Sequence, residues 1–377
     1  MAPRGRASAS RARDLAMMRR ALALAARGLG ETNPNPVVGC VVARGDRVVG
    51  EGWHHRAGGP HAEVLALRQA GELARGATVY VTLEPCAHFG RTPPCAPLLR
   101  DSGAARVVAA LRDPHPLVGG RGLALLRRAG LQVDAGLLSA EAARLNGPFL
   151  TSARLARPFV RLKAALTLDG RIATARGRSK WITSSAQRRQ ARWLRRLHDA
   201  VLVGIGTVLN DDPLLLPSPR TGRPFTRVVL DSRLRLPLAS RLVRSTTTRT
   251  PVLLLTCNGE ASCRRPLEDA GVSVVVVGEG RGRVRLRAVL DVLQERGMTS
   301  LMVEGGSEVL GSFLAARLLD EVALFRAPLL LGGRGSLPAF GGENPAEIAE
   351  ALRLEAVSTE PPFPWPWPLQ FELWQPR

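Results

Sequence analysis

GWHHRAGGPHAEVLAL (residues 52–67) and VYVTLEPCAHFGRTPPC (79–95) follow one plan. In each, apolar strand-like residues run into a loop punctuated by Pro and Gly, and a helical periodicity follows. Upstream, RDLAMMRRALALAARG (13–28) reads as an amphipathic helix closing at Gly28. ETNPNP (31–36) is a loop, and VVGCVVARGDRVVGEG (37–52) is a strand, a tight turn and a second strand. Downstream, ARVVAAL (105–111), GRGLALLRRAG (120–130) and LQVDAG (131–136) read as strand, helix and strand. Strands alternating with helices predict a three-layer α/β/α domain over 13–148, behind a disordered extension at 1–12.

A second α/β pattern opens at PFVRLKAAL (158–166), after a linker at 149–157, and fills 158–377. Strand patterns follow at 199–206, 226–232, 250–258, 271–280, 300–306 and 321–333, with helices at 184–197, 283–297 and 307–319. The stretch 214–250, rich in Pro, Ser, Thr and Arg, reads as a mobile loop, and LQFELW (369–374) alternates like an edge strand.

Chemistry concentrates in the two opening stretches. His61, Cys86 and Cys95 supply one imidazole and two thiolates, three of the four ligands of a tetrahedral zinc. The fourth position is left for water, which zinc makes acidic enough to ionise near neutral pH. Glu63, two residues beyond His61, is placed to move that water's proton without binding the metal. His61 and Cys95 both fall where helices begin, and a positive helix end favours a thiolate or a developing oxyanion. Cys40, Cys257 and Cys263 read as structural thiols.

Composition narrows the alternatives. The 377 residues carry a formal charge of +21, and all but two of the 53 basic residues (Lys163 and Lys180) are arginine. Such a field suits anionic partners, but the arginines are scattered rather than blocked, which argues against a nucleic-acid tail. Five dispersed cysteines do not make a disulfide scaffold and point to a reducing, cytoplasmic setting. No run of eighteen apolar residues exists to cross a membrane.

The pattern H-x-E with P-C and a later Cys resembles that of zinc nucleobase deaminases, except that eight residues, not two, separate the cysteines. Together with TNPNPVVGCVV (32–42), RLKAALTLDGRIA (161–173) and SKWITS (179–184), these strings resemble the bifunctional deaminase/reductases of riboflavin biosynthesis. The resemblance implies a cytidine-deaminase-like domain followed by a dihydrofolate-reductase-like one. The first would remove the 2-amino group of a phosphoribosylamino-diaminopyrimidinone using Zn²⁺, and the second would reduce ribosyl to ribityl with NADPH. It implies that Asn33 and Asn35 face the pyrimidine and that His54, His88 and Arg91 line the phosphoribosyl side.

In the second half, the absence of G-x-G-x-x-G disfavours a Rossmann site. Glu304-Gly305-Gly306-Ser307 leaves a strand and enters a helix, a geometry able to hold phosphate. The resemblance assigns Ala165, Trp181, Thr207, Asp211, Ser232 and residues Gly306, Ser307, Glu308, Val309, Leu310, Gly311 and Ser312 to the cofactor. It assigns Lys163, Ser179, Arg195, Leu215 and Glu304 to the substrate, with Arg220 or Arg223 for its phosphate, because LLLPSPR (214–220) departs from the usual strand. It also implies a small-molecule substrate and a homo-oligomer. The competing reading is a nucleic-acid base deaminase with an RNA-binding C-terminal domain, favoured by the charge. The scarcity of aromatic stacking residues counts against it.

Overall fold

A computed structural model of the chain describes residues 4–89, 93–114, 119–280, 282–343, 345–357 and 370–377. The chain divides into two compact units that meet at Ala156 and Arg157. The first contains α1 (Arg4–Ala26), β1 (Gly39–Arg44), β2 (Arg47–Trp53), α2 (Ala62–Ala70), β3 (Thr78–Val81), α3 (Cys95–Asp101), β4 (Arg106–Ala109), α4 (Arg121–Arg128), β5 (Gln132–Ala135), α5 (Ser139–Leu145) and α6 (Gly147–Leu155).

Two boundaries differ from the sequence reading. Helix α1 starts at Arg4 instead of residue 13, because the residues ahead are mostly helix-forming Arg and Ala. The stretch read as a linker is α6, where Pro148 occupies the first turn and its missing N–H costs nothing.

The strands order as β2-β1-β3-β4-β5, antiparallel around β1 and parallel from β3 to β5. Period-2 alternation makes the three layers. Cys40, Val42, Val79, Val81 and Val107 pack with α2, α3 and α4 on one face. Val41, Tyr80 and Val108 pack with α1 and α5 on the other. Helix α2 sits unusually close to the sheet: a Cβ at Gly50 would lie 2.2 Å from the Ala66 carbonyl oxygen, and one at Gly52 would lie 2.7 Å from that of Ala62. Glycine on the strand and alanine on the helix therefore set the position from which His61 is presented.

The second unit is built on a sheet which, among the described residues, has nine strands. Their order is Ser273–Val276, Val252–Thr256, Thr226–Leu230, Ala200–Gly204, Ser300–Val303, Phe159–Thr167, Glu321–Ala327, Glu372–Pro376 and Leu354–Ala356. Neighbours are parallel as far as Glu321–Ala327. The last two strands are antiparallel, so Glu372–Pro376 is covered by Leu354–Ala356 and is not the edge strand expected from its alternation.

The stretch 214–250 is not the open loop its composition suggests. It holds the strand Thr226–Leu230 and the short helix Arg241–Arg244. Fully buried Arg227 pins it from within, donating to Ser245 Oγ (2.7 Å) and to the carbonyls of Ser245 (3.1 Å) and Thr250 (2.5 Å). Backbone carbonyls that would need water elsewhere are thus satisfied by one side chain.

Candidate active sites

In the first unit, His61 is the N-cap residue of α2 and Cys95 the first residue of α3. Cys86 lies in the loop leaving β3. Among the described residues, these three form a group whose ligand atoms all lie within 4.8 Å of one another. His61 Nδ1 is 3.1 Å from Cys95 Sγ and 3.7 Å from Cys86 Sγ. Bond lengths of about 2.3 Å to sulfur and about 2.05 Å to nitrogen, in tetrahedral array, place N and S about 3.6 Å apart. The donor set and its spacing fit a zinc ion. The α3 backbone reinforces it, since Cys95 N–H donates to Cys86 Sγ at 3.3 Å and Ala96 N–H to the Cys86 carbonyl at 3.0 Å.

The electrostatics agree with this assignment. A hydrogen bond from the Cys95 thiol, helped by His61 and the α3 backbone, draws the Cys86 thiol down to about 4. Donating to that sulfur holds the Cys95 thiol up. Metal binding replaces both protons. Burial pushes the Glu63 carboxyl up from the ordinary value, toward the range a proton shuttle needs.

Asn35 and His54 are brought together: Asn35 Nδ2 lies 3.1 Å from His54 Nε2, and His54 Nδ1 lies 3.0 Å from the Pro60 carbonyl. His54 is buried, burial lowers its pKa, and both ring nitrogens are engaged. Its ring is thereby held against the Asn35 amide and the Pro60 carbonyl. Asn33 is half-buried nearby in sequence, His88 is exposed, and Arg91 lies outside the described residues.

Sequence reasoning missed Glu84. Its buried carboxylate accepts from four backbone N–H groups: Gly122 at 3.0 Å, Leu123 at 3.2 Å, Gly120 at 2.9 Å and Asp113 at 3.2 Å. It ties the start of α4 to the strand end that carries Cys86. An acid directly before Pro-Cys was the available signal.

The second unit contains a cleft of about 1020 Å³. It lies at the C-terminal ends of parallel strands, around the place where chain order reverses, as open α/β sheets favour. Lys163, Ala165, Ser179, Arg195, Thr207, Asp211, Leu215, Ser232 and Glu304 line it, as do residues 306–310 and Ser312. Glu304 is the hub. Lys163 Nζ is 3.3 Å from its Oε2, and Arg195 reaches both oxygens, at 2.5 and 3.0 Å. Despite burial, the two cations hold the Glu304 carboxyl down to about 2. Arg195 is delivered by helix Ser185–Arg196, started by a capping box in which Ser184 and Gln187 bond reciprocally. Ser179 Oγ donates to both Asp211 oxygens at 3.1 Å.

Four predicted residues stand elsewhere. Trp181 is 73% exposed beneath the Arg188 guanidinium and is not in the cleft wall. Gly311 faces the Gly341 backbone, where a Cβ would lie 1.7 Å from the carbonyl oxygen, so it is a packing glycine. Arg220 is exposed and outside the lining, while Arg223 is committed to Asp199 and the His198 carbonyl.

Fold and sites together define a two-unit enzyme: a zinc-binding deaminase region of the cytidine-deaminase type, then a reductase. Residues 11–111 match the cytidine and deoxycytidylate deaminase zinc-binding region, and residues 158–361 match the RibD C-terminal domain. The chain belongs to the RibD family of bifunctional riboflavin-biosynthesis deaminase/reductases. It is 43% identical to the riboflavin biosynthesis protein RibD of Aquifex aeolicus, over 92% of this chain and 95% of that one. Against the Escherichia coli protein the identity is 42%, over 88% and 93%. Among solved structures, Acinetobacter baumannii RibD matches with a TM-score of 0.84 at 38% identity, covering 97% of this chain and 99% of that one. The Thermotoga maritima deaminase/reductase matches with a TM-score of 0.84 at 36% identity, covering 98% and 100%. The RNA-binding alternative is not favoured.

Proposed function

We propose that the first unit hydrolyses the 2-amino group of 2,5-diamino-6-(5-phosphoribosylamino)pyrimidin-4(3H)-one, and that the second reduces the product to 5-amino-6-(5-phosphoribitylamino)uracil with NADPH. The observation that carries this reading is the His61–Cys86–Cys95 group with buried Glu63 on the adjoining helix turn. A zinc ion held by those three side chains supplies Lewis-acid activation of water at neutral pH. Glu63 takes a proton from the attacking water and returns it to the leaving nitrogen, so one water is consumed and one ammonia released. Asn35, oriented by His54, presents its amide to the heterocycle edge, with Asn33 beside it in the loop. His88 and Arg91 serve the phosphoribosyl side.

In the second unit, NADPH supplies the hydride, and a proton completes the reduction of ribosyl to ribityl. Gly306, Ser307 and the helix they open hold cofactor phosphate, with Ala165, Thr207, Asp211 and Ser232 along the same cleft. Lys163, Ser179, Leu215 and the Glu304–Arg195 pair shape the substrate end. Among the described residues, no helix is long and apolar enough to cross a membrane. We place the enzyme in the cytoplasm as a homo-oligomer.

The test supplies the diaminopyrimidine phosphate with and without NADPH. Ammonia release in both, and nicotinamide oxidation only after deamination, are expected. Bound zinc without ammonia release would refute the deaminase assignment, and ammonia without NADPH consumption would refute the reductase assignment.

A further inference from the structure

Cys86 is the one candidate ligand that no helix carries. It ends the irregular segment Glu84-Pro85-Cys86, between β3 and α3. No ladder of backbone bonds shapes such a segment, and Pro85 has no N–H to contribute, so neighbouring elements must hold it. Two helices do so. On one side α3 grips Cys86: Ala96 N–H donates to its carbonyl at 3.0 Å and Cys95 N–H to its Sγ at 3.3 Å. On the other side the first turn of α4 lies against Pro85. A Cβ at Gly122 would sit 1.9 Å from the Pro85 carbonyl oxygen.

The Glu84 carboxylate keeps α4 in that place. The N-cap residue of α4 is Gly120, which has no side chain, and the first turn carries no acid, so the helix cannot cap itself. Glu84, 3% exposed, supplies the cap from outside. Its Oε1 accepts from Gly122 and Leu123 N–H, and its Oε2 from Gly120 and Asp113 N–H. Each oxygen thus takes two donors, which fills the acceptor capacity of a carboxylate. An amide of the same shape could not replace it, because its NH₂ would face two N–H donors. The Glu84 N–H also donates to the Leu111 carbonyl at 2.8 Å, so backbone and side chain are both fixed.

We infer that Glu84 is a positioning residue for the metal centre: by clamping α4 onto Pro85, it fixes the direction from which Cys86 offers its sulfur to the group formed with His61 and Cys95. The inference rests on the zinc reading of the first unit given above. A buried carboxylate capping a helix remote from any ligand would serve stability alone. Here a single residue, Pro85, separates the clamp from a ligand, so slack in one passes directly to the other. Partners behind the ligands govern how tightly and in what geometry a metal is held.

The test compares three variants of the full chain, each loaded with zinc or with cobalt(II) as a spectroscopic probe. Glu84→Gln removes the charge and at least two of the four bonds. Glu84→Asp keeps the carboxylate but falls one methylene short. Leu126→Ala empties a fully buried α4 position in the core and leaves the clamp alone. In Glu84→Gln, zinc affinity read by chelator competition should fall roughly 10- to 100-fold. Its cobalt–thiolate absorption should shift, and kcat for ammonia release should fall by a larger factor than KM changes. Glu84→Asp should lie between Gln and wild type, and it decides the matter if Glu84→Gln does not fold. Leu126→Ala should lower the urea midpoint yet keep wild-type zinc affinity and cobalt spectrum. Wild-type affinity and spectrum in the folded Glu84 variants would overturn the inference alone. An equal loss of affinity in Leu126→Ala would overturn it too, by making the effect one of stability. A wild type that binds neither zinc nor cobalt would overturn the inference together with the zinc reading.

Discussion

Replacing Glu304 by Gln should destabilise the second unit by about 3 kcal/mol at neutral pH. The carboxyl falls from 4.5 to about 2 in the folded protein. At about 1.4 kcal/mol per unit this corresponds to about 3 kcal/mol. The Glu304 side chain is 7% exposed and those of Lys163 and Arg195 are 13% and 14% exposed, so water screens little of it. Gln keeps the shape and leaves two buried cations facing each other, a loss of the size measured for broken buried pairs. Because the folded-state carboxyl is depressed, its contribution is full above the unfolded value and is lost as pH falls through the folded one. The gap between wild type and variant should therefore shrink to roughly half by pH 3. Amide hydrogen exchange of Ser300–Val303 reads this unit directly, and global exchange should quicken by about 10²-fold at neutral pH. A gap below about 0.5 kcal/mol, or one equally large at pH 3, would refute the assignment of the triad as a charge-stabilised hub.

Glu63→Gln should reduce ammonia release by about 10²-fold or more while zinc content, measured by elemental analysis, stays at the wild-type level. Arg227→Met should cost about 2 kcal/mol through the orphaned carbonyls of Ser245 and Thr250, and limited proteolysis should cut faster within 214–250. Gly39→Ala would place a Cβ 2.0 Å from the Ala21 carbonyl oxygen, so α1 must shift; a fall of about 1–3 kcal/mol in the urea stability of the first unit is expected.

The deaminase centre was legible because its chemistry is local. His61, Glu63, Cys86 and Cys95 sit at junctions that turn chemistry marks in the sequence, and loop–helix geometry brings them together. Residues whose roles depend on distant partners were read less well. Nothing around Arg227 in the chain announces that it will be buried, since its acceptors come from the far side of the stretch it closes. Trp181 was placed in the cofactor site by family register, yet its backbone adopts a φ of 71° and carries the indole outward. The strand Glu372–Pro376 looked peripheral because alternation reveals one wet face and not how many neighbours a strand has.

The two candidate sites also differ in how much chain each needs. The candidate zinc ligands span 34 residues near the beginning, whereas Lys163 and Glu304 are 141 residues apart and meet only because the strands that carry them to the cleft are neighbours in the sheet. As the polypeptide emerges from a ribosome, the early half presents its complete set of ligands long before the strand Ser300–Val303 exists. Metal capture can thus begin while the reductase is still being synthesised, and the late half, held together by long-range pairings, completes its cleft last.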